Sequence, residues 1–380
     1  MKNRTSITIL ALALIGALLF SLLTVYASAE GTRALKKKID VSARSAALYV
    51  PATREFLFSK NADERRPMAS TTKIMTALVA LEHADISDTV TIDERAVGIE
   101  GSSAYLKAGE QLCLEELIYA LMLQSANDAA AAIAYHVAVD IESFADMMNM
   151  RASDMGLRDT SFKNPHGLDD AEHYTTAHDL AVIAASALDN PFLRKVSSTY
   201  KKTFRSDERQ RTYVNHNKLL RRFDGAIGLK TGFTKKSGRC LVGAAERDGL
   251  TLVSVTLDAP NDWSDHSAML EGGYSLIERV NLLSDGELCY DVPVINGEST
   301  SVRVTCESGF SLVLPRAERE IKRYVKLSRL AVAPIRKGDV MGTVIFTIDG
   351  EKVGSVNLIA TEDVPLKKKS NLFYRIFKKD

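Results

Sequence analysis

Residues 67–82 read PMASTTKIMTALVALE, and this string is the most informative one for the expected fold. The apolar residues at positions 74, 77, 78 and 81 recur at helical spacing, and the proline that opens the string cannot interrupt a helix that begins after it. The pattern predicts a helix with Ser70 at or near its N-terminus and with Lys73 one turn later on the same face. At that spacing the lysine amine lies within hydrogen-bond reach of the serine hydroxyl.

The Ser70–Lys73 pair has a chemical and a structural interpretation. A serine hydroxyl is a weak nucleophile unless a base takes its proton, and a lysine serves as that base only if its pKa falls. Burial and a neighbouring cation both lower a lysine pKa, and the free N–H groups at a helix start favour negative charge beside the serine. In the structural interpretation, Ser70 caps the helix and Lys73 is solvated, which is the more frequent case for an isolated pair.

A second motif, Ser125-Ala126-Asn127, connects two predicted helices, Leu114 to Leu123 and Asn127 to Val139. A connecting loop can direct a hydroxyl and a carboxamide into a cleft. Ser125 is therefore predicted to relay a proton to a leaving amine, and Asn127 to bind a substrate amide and to orient Lys73. The alternative is that Ser125 and Asn127 cap the second helix.

The third motif is Lys230-Thr231-Gly232, and two strand-like runs follow it, Arg239 to Ala245 and Leu250 to Leu257. This pattern predicts successive antiparallel strands, with Lys230 on an exposed strand. The lysine and threonine of the motif are predicted to bind a carboxylate, and its glycine to let the backbone approach closely. The N–H of Phe233, together with that of Ser70, is predicted to form an oxyanion hole.

In this order the three motifs match the serine–lysine pattern of penicillin-binding proteins and serine β-lactamases. From about Ala46 to Pro260 the chain resembles a serine-type D-alanyl-D-alanine carboxypeptidase, a low-molecular-mass penicillin-binding protein. Two further strings support the resemblance, Asn61-Ala62-Asp63-Glu64 and Asn164-Pro165-His166-Gly167-Leu168. The resemblance implies an α/β (α+β) penicillin-recognising domain of the serine transpeptidase/β-lactamase-like fold.

The resemblance also implies a reaction, the removal of the terminal D-alanine from peptidoglycan stem pentapeptides through a serine acyl-enzyme, with β-lactams as inhibitors. It makes Ser70 the nucleophile, Lys73 its base and Ser125 a proton relay, and it makes Lys230-Thr231 the clamp for the terminal carboxylate.

Ala126 stands where class A β-lactamases carry aspartate, and no glutamate-bearing loop is evident in the sequence, which argues against a lactam-destroying enzyme. Two alternatives stay open: a D,D-endopeptidase that uses the same residues on cross-links, and a non-catalytic peptidoglycan-binding scaffold. The presence of Ser70, Lys73 and Lys230 weighs against the scaffold.

The N-terminal segment predicts export. Lys2 and Arg4 precede an apolar run from Ile7 to Val25 and a small-x-small site, Ala27-Ser28-Ala29, so residues 1–29 are predicted to be a cleaved signal peptide. Because the run is longer than a usual signal-peptide core, an uncleaved membrane anchor is the alternative. The net charge of +1 indicates no class of partner, and no basic cluster with interleaved aromatic residues suggests nucleic acid.

Neither a metal nor a cofactor is predicted. The cysteines are too scattered for a zinc site, and buried thiols are favoured over a Cys289–Cys306 disulfide, the pair closest in sequence. No metal-binding helix motif accompanies the histidines, and the segment 175–179 instead predicts the start of a helix. The four cysteines are Cys113, Cys240, Cys289 and Cys306, and the three histidines are His166, His173 and His178.

A boundary near Asn281 separates the predicted peptidase domain, residues 30–280, from a β-rich domain, residues 281–365. Short strand-like runs separated by turns predict a small sandwich there. These runs are Val302 to Thr305, Ser311 to Leu314, Tyr324 to Ser328, Val340 to Ile348 and Lys352 to Ala360.

Residues 366–380 form a basic amphipathic tail. Lys367-Lys368-Lys369 precedes apolar positions at 372, 373, 376 and 377, which share one side of a helix. The pattern predicts a membrane-surface anchor, because the tail is too short to span a bilayer. A frayed, solvated tail is the alternative.

Overall fold

A computed structural model describes residues 39–206 and 209–368. The chain divides into two compact units, of which the first ends at Leu276 and the second begins at Ile277. The predicted signal segment, residues 1–29, and residues 369–380 of the predicted tail lie outside the described residues. No helix in the described part of the chain has the length and apolarity needed to cross a membrane.

The first unit is built on a five-stranded antiparallel sheet with the strand order β2-β1-β9-β8-β7. Two antiparallel strand pairs, β3–β4 and β5–β6, form separate two-stranded sheets. Its strands are β1 (Ser45–Val50), β2 (Glu55–Lys60), β3 (Thr89–Thr91), β4 (Gln111–Cys113), β5 (Lys201–Ser206), β6 (Arg209–Val214), β7 (Ala226–Thr234), β8 (Gly238–Arg247) and β9 (Leu250–Leu257).

Helices cover this sheet. The α-helices are α1 (Lys73–His83), α2 (Leu114–Tyr119), α3 (Asn127–Val137), α4 (Ile141–Asp154), α5 (Ala177–Asp189), α6 (Pro191–Ser198), α7 (Leu219–Arg222) and α8 (Asp262–Leu276). Short 3₁₀ turns occur at Ala69–Thr72 and Glu94–Ala96, and a π-turn occurs at Ala120–Gln124. Both α5 and α8 pack against β1 and β9, and β1 is buried along its whole length.

Local sequence explains several helix boundaries. Thr176 caps α5 by accepting a hydrogen bond from the N–H of Asp179, so the helix start predicted at 175–179 is confirmed. The helix predicted over 114–123 is α-helical only to Tyr119 and continues as the π-turn, while α3 ends at Val137 rather than at residue 139. In α3 the alanines at 129–132 are all buried, which lets α1 pack closely against it.

The second unit is all β. Its strands are β10 (Ile277–Leu283), β11 (Cys289–Ile295), β12 (Ser301–Cys306), β13 (Phe310–Pro315), β14 (Ile321–Leu327), β15 (Ala331–Val332), β16 (Val340–Ile348) and β17 (Glu351–Ala360). A six-stranded sheet has the order β14-β16-β17-β12-β11-β15, and β10 pairs with β13. The rings of Phe310 on β13 and Phe346 on β16 lie 5.1 Å apart, so the two sheets share one core.

The sequence predicted five of these strands and missed β10, β11 and the short β15. Pro293 and Asp291 weaken the strand pattern of β11, since both residue types are uncommon inside strands. The boundary drawn at residue 281 falls inside β10. In the described chain all four cysteines are free, and Cys240 and Cys306 are buried, but Cys289 is exposed and Cys113 half-buried, which corrects the expectation for those two.

Candidate active site

Ser70 and Lys73 meet at the start of α1. Ser70 lies in the 3₁₀ turn Ala69–Thr72 and is half-buried, while Lys73 is the first residue of the helix and is fully buried. The Nζ of Lys73 lies 2.9 Å from Ser70 Oγ, 2.7 Å from Asn127 Oδ1 and 2.5 Å from the carbonyl oxygen of His166. The amine therefore joins two of the sequence motifs and the loop that contains His166.

These contacts fit an uncharged Lys73. A neutral amine has two N–H groups and one lone pair, and the oxygens of His166 and Asn127 can only accept hydrogen bonds. If both N–H groups of a neutral amine donate to these oxygens, its lone pair is free to accept the proton of the Ser70 hydroxyl, whereas an ammonium would donate to all three oxygens. Burial lowers the pKa of Lys73 well below its usual 10.5, and the positive charge of Lys230 lowers it further.

Asn127 is held at both ends of its carboxamide. Its Nδ2 donates to the carbonyl oxygen of Glu100, so its oxygen is the atom that faces Lys73. Its backbone N–H donates to the carbonyl of Ser102 at 2.7 Å. In the described chain Ala126 is the N-cap residue of α3 and no side chain caps the helix, so the capping alternative for Ser125 and Asn127 is wrong. The contacts favour Asn127 as the residue that orients Lys73.

Ser125 adopts a left-handed backbone conformation with φ of 61°, directly after the π-turn. A non-glycine residue in this region stores about 1–2 kcal/mol of strain, and π-turns inside helices are frequent at functional sites. The side chain is buried and lines the same cleft as Ser70 and Thr231.

The Lys230-Thr231-Gly232 motif lies on β7, the edge strand of the sheet. The strand predicted to be exposed is at the edge of the sheet, but the side chain of Lys230 on it is buried, with only 1% exposed. Its Nζ donates to the carbonyl of Thr231 at 2.9 Å, and burial lowers its pKa to about 7. A Cβ on Gly232 would lie 3.0 Å from the backbone nitrogen of Ser70, so a glycine is needed for this close approach.

Four residues of the motifs, Ser70, Ser125, Thr231 and Gly232, line a cleft of about 370 Å³ together with Phe233, which is 66% exposed. Further lining residues were not found from the sequence because they belong to no motif. They are Ser102, His216, Lys218, Arg239, Cys240, Asp262 and Trp263. The guanidinium of Arg239 forms a two-pronged ion pair with the buried carboxylate of Asp262, at 2.9–3.0 Å.

The three histidines considered as metal ligands have protein partners. His173 contacts Thr72 and Lys163, and His178 contacts Ser59 and Asp63. His166 is used through its backbone carbonyl, and burial lowers the pKa of its ring to about 3. Within the described residues, no group of three or more His, Cys, Asp or Glu side chains is arranged to hold a metal ion.

Two profiles of known protein families match the chain. The profile of the family described as D-alanyl-D-alanine carboxypeptidase, peptidase S11, matches residues 31–261. The chain belongs to this family. A second profile, described as the C-terminal domain of penicillin-binding protein 5, matches residues 278–366.

Two carboxypeptidases and two solved structures illustrate the relationship. The chain is 30% identical to D-alanyl-D-alanine carboxypeptidase DacF of Bacillus subtilis over 94% of each chain. It is 31% identical to DacA of Escherichia coli, over 89% of this chain and 86% of that one. Penicillin-binding protein 5 from Haemophilus influenzae superposes with a TM-score of 0.63 and 29% identity, over 86% of this chain and 98% of that one. The Streptomyces K15 DD-transpeptidase superposes with a TM-score of 0.60 and 34% identity, over 63% and 99%.

As a member of peptidase S11, the chain is a serine-type D-Ala-D-Ala carboxypeptidase that acts on peptidoglycan. Peptides that end in D-Ala-D-Ala are the substrates of the family, and penicillin binding is implied by the same membership. The family consists of exported proteins of the cell envelope.

Proposed function

We propose that this carboxypeptidase releases the terminal D-alanine of peptidoglycan stem pentapeptides through an acyl-enzyme on Ser70. The observation that carries the proposal is the environment of Lys73, whose buried Nζ lies within hydrogen-bond distance of Ser70 Oγ and of two acceptor oxygens. A buried neutral amine at hydrogen-bond distance from a hydroxyl is the arrangement that a serine nucleophile needs.

In the acylation step Ser70 Oγ attacks the carbonyl carbon of the penultimate D-alanine while its proton passes to Lys73. The carbonyl oxygen becomes an oxyanion, and the backbone N–H groups of Ser70 and Phe233 stabilise it. The C–N bond then breaks, and the departing D-alanine nitrogen receives a proton through Ser125. Water hydrolyses the resulting ester and regenerates Ser70.

Lys230 and Thr231 bind the terminal carboxylate of the substrate. Because the pKa of Lys230 in the free cleft is about 7, an arriving carboxylate favours its protonated form. A β-lactam acylates Ser70 in the same way, but its ring-opened leaving group stays attached. The adduct is therefore expected to persist.

The enzyme works at the extracytoplasmic face of the cell membrane. Support comes from the predicted signal peptide, residues 1–29, and from the predicted basic tail, residues 366–380. Each basic side chain near an anionic surface contributes about 1 kcal/mol. Deletion of residues 367–380 from signal-processed protein should release it from anionic vesicles and leave hydrolysis of a soluble D-Ala-D-Ala peptide unchanged. Equal sedimentation of both forms would remove the tail as the anchor.

The catalytic proposal is tested by mass spectrometry of the protein after incubation with penicillin and, separately, with a peptide that ends in D-Ala-D-Ala. The expected results are a covalent penicillin adduct on the tryptic peptide that contains Ser70 and stoichiometric release of D-alanine. The Ser70→Ala variant should give neither. An adduct on another residue, or none in the parent protein, would contradict the assignment of Ser70.

A further inference from the structure

A second cavity of about 540 Å³ opens beside the catalytic cleft. The two share four lining residues, Lys218, Arg239, Asp262 and Trp263, so they are continuous. Arg222, at the end of α7, lines only the second cavity. We call this cavity the basic annex, because three of its lining side chains are cationic and only that of Asp262 is acidic.

Of the three cations that line the basic annex, one has an ion-pair partner within the described residues. Arg239 is paired with Asp262, whereas Lys218 and Arg222 form no ion pair within the described residues, and both are exposed. The Nζ of Lys218 lies 5.9 Å from the ring centre of Trp263, which provides an apolar wall beside the charge. Two uncompensated cations in a cavity beside a reaction cleft attract an anionic part of a bound ligand.

We propose that the basic annex binds a second carboxylate of the substrate peptide, in addition to its C-terminal carboxylate. This inference rests on the proposed function, because it places the annex next to the bound D-Ala-D-Ala end. The second carboxylate lies either on the acyl side of the cleaved bond or on the leaving-group side. Either position would lie near the annex, because the annex and the catalytic cleft share four lining residues.

Two pairs of isosteric peptides test the proposal. Ac-L-Glu-D-Ala-D-Ala is compared with Ac-L-Gln-D-Ala-D-Ala, and diacetyl-L-Lys-D-Ala-D-Glu with diacetyl-L-Lys-D-Ala-D-Gln. For at least one pair kcat/KM should be higher for the acid than for the amide, and the Arg222→Glu variant should lower that ratio roughly fivefold. Arg221→Glu is the matched control, because the Arg221 guanidinium lies over the Tyr200 ring, outside the annex.

A preference that disappears with Arg222→Glu and at high salt, but survives Arg221→Glu, supports the basic annex. Acid-to-amide ratios near one in both pairs would overturn it, as would equal effects of the two variants. Failure of the proposed function itself is distinguishable, because no peptide of either pair would then be hydrolysed.

An independent observation concerns the peptide group that links Ala69 to Ser70. Ala69 is buried and has a positive φ of 48°, which is costly for a residue with a Cβ. A Cβ added to Gly167 would lie 1.9 Å from the carbonyl oxygen of Ala69, and one added to Gly232 would lie 3.0 Å from the nitrogen of Ser70. Gly167 therefore packs against the carbonyl edge of this peptide group, and Gly232 packs against its N–H edge.

A hydrogen-bonded chain leads to the carbonyl edge. The backbone N–H of Lys163 donates to Nδ1 of His173 at 3.0 Å, so in the neutral ring the proton is on Nε2. That Nε2–H donates to Thr72 Oγ1 at 2.7 Å, and the Thr72 hydroxyl donates in turn to the carbonyl of Ala69 at 2.8 Å. Burial lowers the pKa of His173 to about 4, which keeps the ring neutral at physiological pH.

We infer that His173 and Thr72 are positioning residues for the oxyanion hole. A peptide group is planar, and its C=O and N–H point in opposite directions. Fixing the Ala69 carbonyl therefore fixes the direction of the Ser70 N–H, the proposed oxyanion donor. The chain of hydrogen bonds also polarises the same peptide group and strengthens that donor.

Paired variants separate this role from simple packing. Thr72→Val removes the hydroxyl at nearly constant volume, and Thr72→Ser retains it. A glutamine at position 173 can reproduce the Nε2 donor, whereas an asparagine reproduces only the Nδ1 acceptor. Penicillin acylation is measured as a limiting rate and a half-saturating concentration, with melting temperature alongside.

Thr72→Val and His173→Asn should each lower the limiting acylation rate roughly tenfold with little change in half-saturation, because an oxyanion hole acts in the transition state. Thr72→Ser and His173→Gln should stay within about twofold of the parent protein. Normal rates in Thr72→Val, or rates that follow melting temperature across all four variants, would overturn the inference. Absence of acylation in the parent protein would instead contradict the proposed function.

Discussion

The two compact units bury different kinds of side chain. In residues 277–368 every buried side chain is apolar or a cysteine, and Val302, Val304 and Phe346 lie at the centre of the core. In the described part of the first unit, two lysines, His173 and several carboxylates are buried as well. Burying charged groups costs free energy unless they are paired or neutralised. Burial of ionisable groups therefore costs the first unit folding free energy, and the described residues of the second unit have no such cost.

The two buried lysines of the first unit both belong to the motifs of the candidate active site. Lys73 and Lys230 are both nearly inaccessible, and each lacks a buried carboxylate as an ion-pair partner in the described chain. Burial lowers the pKa of Lys73 well below 10.5 and that of Lys230 to about 7, which favours Lys73 as a base and leaves Lys230 able to carry the positive charge that binds an anion. The second unit contains no comparable group among its described residues.

The largest expected effect is on the buried base. Lys73→Arg should lower the rate of penicillin acylation at least ~10³-fold, because a guanidinium stays protonated near neutral pH and cannot take the Ser70 proton. Rapid-quench mass spectrometry measures this rate. Near-normal acylation by the folded variant would contradict the assignment of Lys73.

A core substitution in the second unit should lower stability and leave the hydrolytic activity unchanged. Phe346→Ala removes a fully buried ring and should destabilise that unit by about 3 kcal/mol. Hydrolysis of a small soluble D-Ala-D-Ala peptide should keep its kcat/KM. Calorimetry measures the stability of the unit, and steady-state kinetics measures kcat/KM. If activity were lost at temperatures below the first melting transition, the second unit would contribute to catalysis and the contrast between the units would be wrong.

The smallest expected effect is on substrate affinity above neutral pH. Lys230 attracts the terminal carboxylate only when protonated, so KM should rise about tenfold between pH 6 and pH 8, given its pKa of about 7. In Lys230→Arg the charge persists, and this rise should disappear even if KM is higher overall. The same alkaline rise in both proteins would show that another group is responsible.

The sequence predicted what depends on local spacing. The contact between Ser70 and Lys73 follows from one helical turn, and β9 was predicted to the residue. The burial of Lys230 was not predictable in this way, because it depends on which segments pack over β7. His173 and Arg239 were missed as parts of the site for the same reason, since their partners, Thr72 and Asp262, are distant in sequence.

The central claim is that burial makes Lys73 a neutral base, and its pKa can be measured directly. Protein labelled with ¹³C at the lysine ε-carbons is titrated by NMR, and the Lys73→Met variant identifies the resonance that belongs to Lys73. The resonance is predicted to titrate well below 10.5, because burial disfavours the charged form of the amine. A resonance that titrates near 10.5 would contradict the account.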